Sequence, residues 1–450
     1  MRWIVAVIVI SLTCTGAAAG PSADGTLITE QDSRSKAAWI RIVVKSGSLS
    51  DPSGKPGLAF LTARAMLRGT KKRSYNDLMD AIERIGASIE VRVDHEFTFF
   101  SGSVIAKNFD AFAGLLFEIL KEPAFDAGEL STLKGIMSGE IRSWYQQPQM
   151  LAAAAALKTA YAGTRAELLP FGTVGSLAGI APDDLRGFYS KHYGRRNMIF
   201  AVASALPQGR VERIFSKMMA GLLPGTKNVS QFPGAVLKGR KAVIVEKHGM
   251  STMPFFMAVP GTAEGSADFA ALELGDFAFG ADFTSRLMRV LRLENGWTYG
   301  AYSGYGQLLT AYAAPGLYSI YSFPSAEHAA RAVPRAYEMF LAYGKSGIPD
   351  DEFASAKNAL LNRYAFKIDR ASKRLDLKLK AALGGAACLS GPRYSALVGA
   401  FTKERVNSAI KKRTPMNNLV VSVVGDPAVL KPLLSTLPQI DSVEVVPVSP

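Results

Sequence analysis

The sequence repeats one plan twice, and this duplication limits the possible folds more than any other feature. Residues 109–140 read as an apolar-periodic helix, a proline break, an acidic start and a second helix. Residues 332–364 have the same order and begin 223 positions later. Strand-like segments at 197–202 and 418–423 lie 221 positions apart. Two offsets this similar predict a duplicated domain.

Each copy combines strands with helices. In the first copy, residues 37–44 read as a strand, and helices are predicted for 57–67 and 75–85. Residues 88–104 alternate between apolar and polar side chains, which is typical of paired strands. Strands interleaved with helix pairs favour an α+β sheet covered by helices on one face. We therefore predict two tandem homologous α+β domains, each with a mostly antiparallel sheet.

The domain boundaries follow from composition. Residues 1–19 are predicted to be a signal peptide and residues 20–224 the first domain. A segment rich in glycine and proline without periodicity, 225–239, is predicted to be the linker. Residues 240–450 form the predicted second domain. Each domain has about 200 residues, which is an ordinary domain size.

The first twenty residues indicate export. Arg2 supplies a positive start, and the apolar run from Trp3 to Leu12 is too short to span a bilayer comfortably. Ala17-Ala18-Ala19 resembles a cleavage site. No later apolar run is long enough to cross a membrane, so we expect an exported protein of the bacterial periplasm. Cleavage would remove Cys14, whose lipidation stays an open question, and would leave only Cys388.

The net charge of +14 raises the question of polyanionic partners. A basic balance of this size occurs in proteins that bind nucleic acid or acidic lipid. However, the lysines and arginines are spread along the chain, and no nucleic-acid-binding motif is present. We predict no nucleic-acid partner, and we interpret the charge as solubility with a preference for acidic partners or peptides.

Residues 283–300, FTSRLMRVLRLENGWTYG, carry the candidate binding groups. Four apolar residues share one face of a predicted helix: Phe283, Leu287, Val290 and Leu291. Three arginines share another face: Arg286, Arg289 and Arg292. Asn295-Gly296 should end the helix, because glycine adopts the left-handed conformation easily. Strand-like alternation follows, and it includes Tyr299.

Arg292 and Tyr299 are the residues that this turn should bring together. Their guanidinium and phenol groups are both hydrogen-bond donors, which suits them to hold a peptide carbonyl or carboxylate. The alternative from spacing alone is a solvated basic helix face and a core tyrosine. Both interpretations stay open at this level.

The segment resembles the Arg/Tyr segment of the insulinase/pitrilysin family of zinc peptidases. The matching residues are Ser285-Arg286-Leu287, Leu291-Arg292, Gly296 and Tyr299. The resemblance implies a clam-like pair of domains with a cleft between them. It also implies that Arg292 and Tyr299, in the second domain, hold substrate against a zinc site in the first.

The resemblance extends to the metal motif, but its chemistry is missing. Residues 57–70 match the family's motif helix without a gap. Phe60 and Arg64 replace the two histidine ligands, and Ala63 replaces the general base. The third ligand position falls on Glu140, and one carboxylate cannot hold catalytic zinc. The four histidines are scattered without ligand spacing: His95, His192, His248 and His328.

These observations predict an exported, non-catalytic, substrate-holding subunit of a heteromeric zinc peptidase that degrades peptides. No metal site, cofactor or catalytic residue is expected in this chain. Zinc is expected in a homologous partner with an intact H-x-x-E-H motif. Two alternatives remain: a structural or peptide-binding subunit, and a stand-alone metallopeptidase with a rearranged site. We further expect Arg64 and Glu140 to form an ion pair in place of the metal.

Overall fold

A computed structural model describes residues 26–228, 231–306, 312, 314–384 and 392–448. The predicted signal peptide, Cys14 and Cys388 lie outside these residues. No helix in the described ranges is both long enough and apolar enough to cross a membrane.

The first half begins with a strand and ends with a helix. Its elements in chain order are β1 (Thr26–Gln31), β2 (Ala37–Val44), α1 (Leu58–Ala65), α2 (Tyr75–Arg84), β3 (Ser88–Val93), β4 (Thr98–Ile105), α3 (Phe109–Lys121), α4 (Ala127–Gln146), α5 (Pro148–Ala160), α6 (Val174–Ala178), α7 (Pro182–His192), β5 (Met198–Ser204) and α8 (Gln208–Ala220).

The second half begins at Arg240 and has a similar order. Its elements are β6 (Arg240–Glu246), β7 (Phe255–Pro260), α9 (Phe269–Asp276), α10 (Arg286–Met288), β8 (Ala301–Tyr305), β9 (Leu317–Ser322), α11 (Ala326–Ser346), α12 (Asp350–Ile368), α13 (Ala371–Ala382), α14 (Pro392–Ala400), α15 (Lys403–Arg413), β10 (Leu419–Gly425), α16 (Pro427–Ser435) and β11 (Ser442–Pro447). Short π-helical segments, Phe277–Ala281 and Arg289–Glu294, extend α9 and α10.

Local sequence signals place several of these ends. Ser74 caps α2 by accepting the backbone N–H of Asp77, whose carboxylate in turn accepts the backbone N–H of Ser74. Asp126 caps α4 by accepting the backbone N–H groups of Gly128 and Glu129. Such caps satisfy donors that a helix start otherwise leaves unpaired.

The two sheets have the same strand order. In the described residues the first sheet runs β1-β5-β2-β4-β3, and the second runs β11-β6-β10-β7-β9-β8. If each half is numbered from its own first strand, both contain the order 1-5-2-4-3, and β11 adds one edge strand. In both sheets the first and fifth strands pair in parallel and the remaining pairs of the common order are antiparallel. The predicted duplication and the α+β fold class are therefore confirmed.

Each half gives one helix to the other. Leu151 and Leu157 of α5 pack into an apolar cluster with Phe256 and Val420 of the second sheet. Leu375 and Leu379 of α13 pack into a cluster with residues of the first sheet: Val43, Phe99, Ile199 and Ala201. Each buried leucine of this kind stabilises the fold by about 1.5–3 kcal/mol. The exchanged helices therefore join the two halves.

This exchange corrects one prediction. The sequence predicted helices on one face of each sheet, but the opposite face is also covered, by the helix from the other half. Ion pairs reinforce the contact, since Arg374 of α13 binds Glu30 at 2.7 Å and Asp32 at 3.0 Å. The second face is covered because each sheet is apolar on both faces, and each apolar face has to pack against another element.

Candidate functional site

The segment that carries Arg292 is a short helix that widens into a π-helical turn. Helix α10 continues through the π-helical residues Arg289–Glu294. Leu287 and Leu291 are buried on its inner side, as the apolar stripe predicted. Irregular helical turns of this kind are frequent at functional sites, because they change the direction in which a side chain points.

The turn after this segment confirms the predicted helix end. Gly296 has φ +64°, which is the left-handed region that favours glycine. Its N–H donates to the Arg292 carbonyl at 2.9 Å, and the Trp297 N–H donates to the Leu291 carbonyl at 3.0 Å. These bonds satisfy carbonyls that the helix end would leave unpaired. The backbone around Arg292 is therefore fixed by hydrogen bonds.

Arg286 holds this segment onto the long helix α12. Its Nη2 lies 2.6 Å from Glu352 Oε2 and its Nε lies 2.9 Å from Oε1, so the pair is bidentate. Both side chains are mostly buried. Arg289 also reaches Glu352, at 3.4 Å, and pairs with Glu294 at 3.2 Å. Two of the three predicted arginines are thus engaged with carboxylates, and their role is structural.

Arg292 and Tyr299 differ from these two arginines. The Arg292 guanidinium lies over the Phe283 ring, 4.8 Å from its centroid. Within the part of the chain that the structure describes, no carboxylate pairs with it. Tyr299 is 83% exposed, which is incompatible with a core tyrosine. Both side chains flank the Gly296 turn with their hydrogen-bonding groups available.

Two details of this segment were predicted wrongly. Phe283 was expected on the buried stripe, but it is 54% exposed because the helix begins only after Ser285. Tyr299 was expected inside a strand, but β8 begins at Ala301. Tyr299 therefore lies in the connection before the strand, where it is largely exposed.

Exposed apolar side chains lie in the same segment as Arg292 and Tyr299. Besides Phe283 and Tyr299, Leu293 is 60% exposed and Tyr302 is 38% exposed. Exposed apolar side chains concentrated in one short segment, with a cation among them, are typical of a binding surface. We call these five residues the Arg292 surface: Phe283, Arg292, Leu293, Tyr299 and Tyr302.

Helix α1, where the family motif would lie, begins at a buried cap. Asp51 accepts the N–H groups of Gly57 and Ala59, each at 2.7 Å. Burial raises the pKa of Asp51 to about 7, against these hydrogen bonds, which lower it. These hydrogen bonds fix the start of the helix.

Arg64 and Glu140 form the ion pair that the sequence predicted. Arg64 Nη2 lies 3.1 Å from Glu140 Oε1, and Nη1 contacts Oε2, so the pair is bidentate. Phe60 lies beside them, with its ring centroid 5.8 Å from the Arg64 guanidinium. Ala63 is fully buried. Glu140 is 52% exposed, so the pair contributes about 1 kcal/mol or less.

These residues do not fit a catalytic zinc ion. Zinc in such sites takes three protein ligands and keeps one position for water. Glu140 is the one former ligand that remains, and the Arg64 guanidinium already neutralises it. Among the described residues, no group of three histidine, cysteine, aspartate or glutamate side chains could hold a metal.

The second half contains a charge-reversed counterpart of the Arg64–Glu140 pair, which the sequence analysis did not predict. Arg363 lies 223 positions after Glu140, which is the repeat offset, and it pairs with Asp282. Arg68 and Glu129 pair at 2.9 Å at the start of α4. The Arg286–Glu352 pair occupies the corresponding place at the start of α12. The repeat offset alone could have indicated Arg363.

The four histidines are dispersed, as predicted. His95 and His192 are buried, and burial lowers the pKa of each to about 4. Hydrogen bonds that the imidazole donates to Asp426 and then Glu246 raise the pKa of His248. His328 bonds to Ser325 at 2.8 Å. They do not converge on one place.

The chain belongs to the insulinase family of peptidases, family M16, and it lacks the catalytic motif of that family. The model described as "Insulinase (Peptidase family M16)" matches residues 26–172. The model described as "Peptidase M16 inactive domain" matches residues 179–360. Together with the substitutions at Phe60, Ala63 and Arg64, these matches define a non-catalytic family member.

Relatives with different descriptions share this family. An uncharacterized zinc protease of Streptomyces coelicolor is 24% identical over 346 residues, 74% of this chain and 73% of that protein. The non-peptidase homolog YmxG of Helicobacter pylori is 22% identical over 384 residues, 84% of this chain and 87% of that protein.

Solved structures share the fold. The structure described as the peptidase M16 inactive domain from Pseudomonas fluorescens has a TM-score of 0.79 and 21% identity. It covers 90% of this chain and 97% of its own. A protease from Helicobacter pylori also has a TM-score of 0.79, at 15% identity, with 89% and 97% coverage. At these identities the likeness concerns the fold alone.

Proposed function

We propose that this chain is the exported, substrate-holding subunit of a heteromeric zinc peptidase that degrades peptides. One observation carries the proposal: Arg292 and Tyr299 are accessible and free of carboxylate partners in the described residues, whereas the neighbouring arginines are engaged. A residue that served only the fold would be paired in the same way as Arg286.

The rigid support of the Arg292 surface favours a binding role. Hydrogen bonds fix the Gly296 turn, and the Arg286–Glu352 pair fixes the helix before it. A donor held in place loses less conformational entropy when it binds. A guanidinium and a phenol on such a support suit a peptide carbonyl or carboxylate, and the exposed Phe283 and Leu293 suit an apolar side chain beside it.

The peptide bond would be cleaved on a partner chain. Arg64 and Glu140 neutralise each other at the former metal position, so this position does not suit a metal-activated water. The partner is an exported homologue with an intact H-x-x-E-H motif, and its zinc performs the hydrolysis. Arg292 and Tyr299 then hold the peptide carbonyl, which is where charge develops during the attack.

The test is to mix the mature chain with an exported homologue that has an intact H-x-x-E-H motif and measure kcat/KM for a quenched peptide. Arg292→Ala should reduce kcat/KM about 10- to 150-fold, because a charged hydrogen bond is lost. Tyr299→Phe should also reduce it. Arg292→Lys should fail in large part, because an ammonium lacks the planar fork. The mass of the complex should not change.

Arg289→Ala is the matched control, since Arg289 is half exposed on the same segment but already bound to Glu294. It removes the same charge without touching the proposed contact. Full activity from the Arg292→Ala, Tyr299→Phe double variant would favour the alternative of a structural subunit. Chelator-sensitive activity from this chain alone would favour a rearranged metal site.

A further inference from the structure

A cationic cavity lies in the first half, and it involves no residue of the Arg292 surface. It has a volume of about 420 Å³ and lies where the turn at Ser48–Ser50, the turn at Arg165 and the end of helix α7 meet. Its lining includes Ser50, Arg165, Lys191 and His192. Hydroxyl, guanidinium, ammonium and imidazole groups therefore approach one space.

The positive charge of this cavity is not balanced. No carboxylate belongs to the described residues that line it. Arg165 donates to the Leu49 carbonyl at 3.1 Å and to no carboxylate in the described ranges, where Lys191 also has no ion pair. Arg374, by contrast, is paired with Glu30 and Asp32. An unbalanced group of cations is costly unless an anion joins it.

The rim of the cavity adds further positive charge. Asn228 lines the cavity and donates to the Lys45 carbonyl at 3.2 Å and to Ser50 Oγ at 3.1 Å. The backbone of Lys45 therefore lies next to a lining residue of the cavity, and Lys227 directly precedes that residue in the chain. Burial, and then repulsion by Lys227, lowers the pKa of Lys45.

Asp51 is the carboxylate that acts on Arg165, but it is already engaged. It lies at the start of α1, where its oxygens accept the N–H groups of Gly57 and Ala59. Burial raises its pKa to about 7, so it is only partly ionised near neutral pH. It attracts Arg165 weakly and does not line the cavity.

The pKa of the His192 imidazole should report whether an anion occupies the cavity. Its ring packs 4.4 Å from the Phe188 ring and has no hydrogen-bond partner in the described residues. Burial, followed by the nearby Lys191, lowers its pKa to about 4, so the imidazole is neutral at pH 7. An anion in the cavity would favour the protonated ring and raise this pKa.

We propose that this cavity binds a phosphate group, carried either by free phosphate or by the headgroup of an anionic lipid. A guanidinium, an ammonium and a hydroxyl converge from three elements, which suits a tetrahedral anion with several acceptor oxygens. A carboxylate, with two oxygens in one plane, would use fewer of these donors. The site is independent of the proposed peptide-holding function.

The experiment titrates the mature chain with inorganic phosphate at constant ionic strength and follows the imidazole signals by NMR. Only four histidines are present, so His192 can be assigned by substitution. The expected result is a saturable shift of the His192 signal. Arg165→Gln and Lys191→Gln should each weaken binding about 10-fold or more, because each removes a charged hydrogen bond.

Lys411→Gln is the matched control, because Lys411 lies on a different basic surface of helix α15. It removes one positive charge and should not change phosphate affinity. Thermal melting checks that the variants fold. Equal weakening by Lys411→Gln, or a shift that never saturates, would mean that only the net charge of +14 attracts the anion, and the proposal would be wrong.

A second arm separates the two sources of phosphate. Vesicles containing phosphatidylglycerol are added, and phosphate is tested as a competitor. Binding that depends on Arg165 and is displaced by phosphate assigns the cavity to a lipid headgroup. Phosphate binding without vesicle binding assigns it to free phosphate. The absence of both overturns the proposal, and activity of the mixed peptidase complex is not involved in either reading.

Discussion

Replacing Phe60 and Arg64 by histidine should create a zinc site at the degenerate motif. The two positions lie four residues apart on α1, and their side chains are neighbours, with the Arg64 guanidinium 5.8 Å from the Phe60 ring. Glu140 already lies within hydrogen-bonding distance of the side chain at position 64. Two histidines and one glutamate form a known zinc ligand set.

The expected change in stability on zinc binding follows from the exposure of the ion pair and from mass action. Losing the Arg64–Glu140 pair should cost about 1 kcal/mol or less, because Glu140 is 52% exposed. Zinc at 100 times its dissociation constant stabilises the folded state by about 2.7 kcal/mol. For a unit of about 200 residues this corresponds to a rise in Tm of about 5–11 °C on adding zinc.

The assay combines zinc content after dialysis with thermal melting in the presence and absence of zinc. Adding Glu140→Gln to the double variant is the control, and it should abolish most of the stabilisation while leaving the apo protein folded. A folded double variant that binds no stoichiometric zinc would refute the argument that Glu140 retains a ligand position. Zinc binding that is unchanged when Glu140→Gln is added would refute it as well.

Three further outcomes test the supports of the fold. Arg286→Ala should lower the free energy of unfolding by about 3 kcal/mol, since it leaves the mostly buried Glu352 with only the longer contact to Arg289; chemical denaturation of Arg286→Ala, Glu352→Gln and the double variant measures the coupling. Leu375→Ala should cost about 2–5 kcal/mol, because α13 covers the first sheet, and urea unfolding measures it. Burial raises the pKa of Asp276 from 3.8 to about 6, so the folded state binds its proton more tightly and stability falls as pH rises between about 4 and 6. Asp276→Asn should abolish this contribution, so that the decrease in the free energy of unfolding between about pH 4 and 6 becomes smaller by on the order of 3 kcal/mol. Denaturation curves recorded at a series of pH values measure it.

Sequence reasoning recovered the elements that carry strong periodicity. The strand 37–44 and the hairpin 88–104 correspond to β2 and to β3 with β4. The edge strands Thr26–Gln31 and Ser442–Pro447 had no such signal, because they are half exposed and not strongly apolar. Pairing of an edge strand is decided by its neighbour in the sheet and not by its own composition.

The Arg292 surface was predictable only in part, because it too depends on residues that are distant in sequence. The spacing indicated a helix end at Gly296 and an accessible arginine, and the structure has both. It could not distinguish Arg286 from Arg292, since that depends on Glu352, which comes from a helix 66 positions away in sequence. The exposure of Phe283 was also hidden, because the helix starts later than the periodicity indicated.

The exchange of α5 and α13 explains why a chain with a degenerate metal motif keeps its first half. Helix α5 directly follows α4, the helix that carries Glu140, and it covers the second sheet through Leu151 and Leu157. Without this cover the second sheet would expose Phe256 and Val420 to water, which is costly. The Arg292 surface lies on elements built on that second sheet. The first half is therefore required for the fold that supports Arg292, even though its own catalytic chemistry is absent.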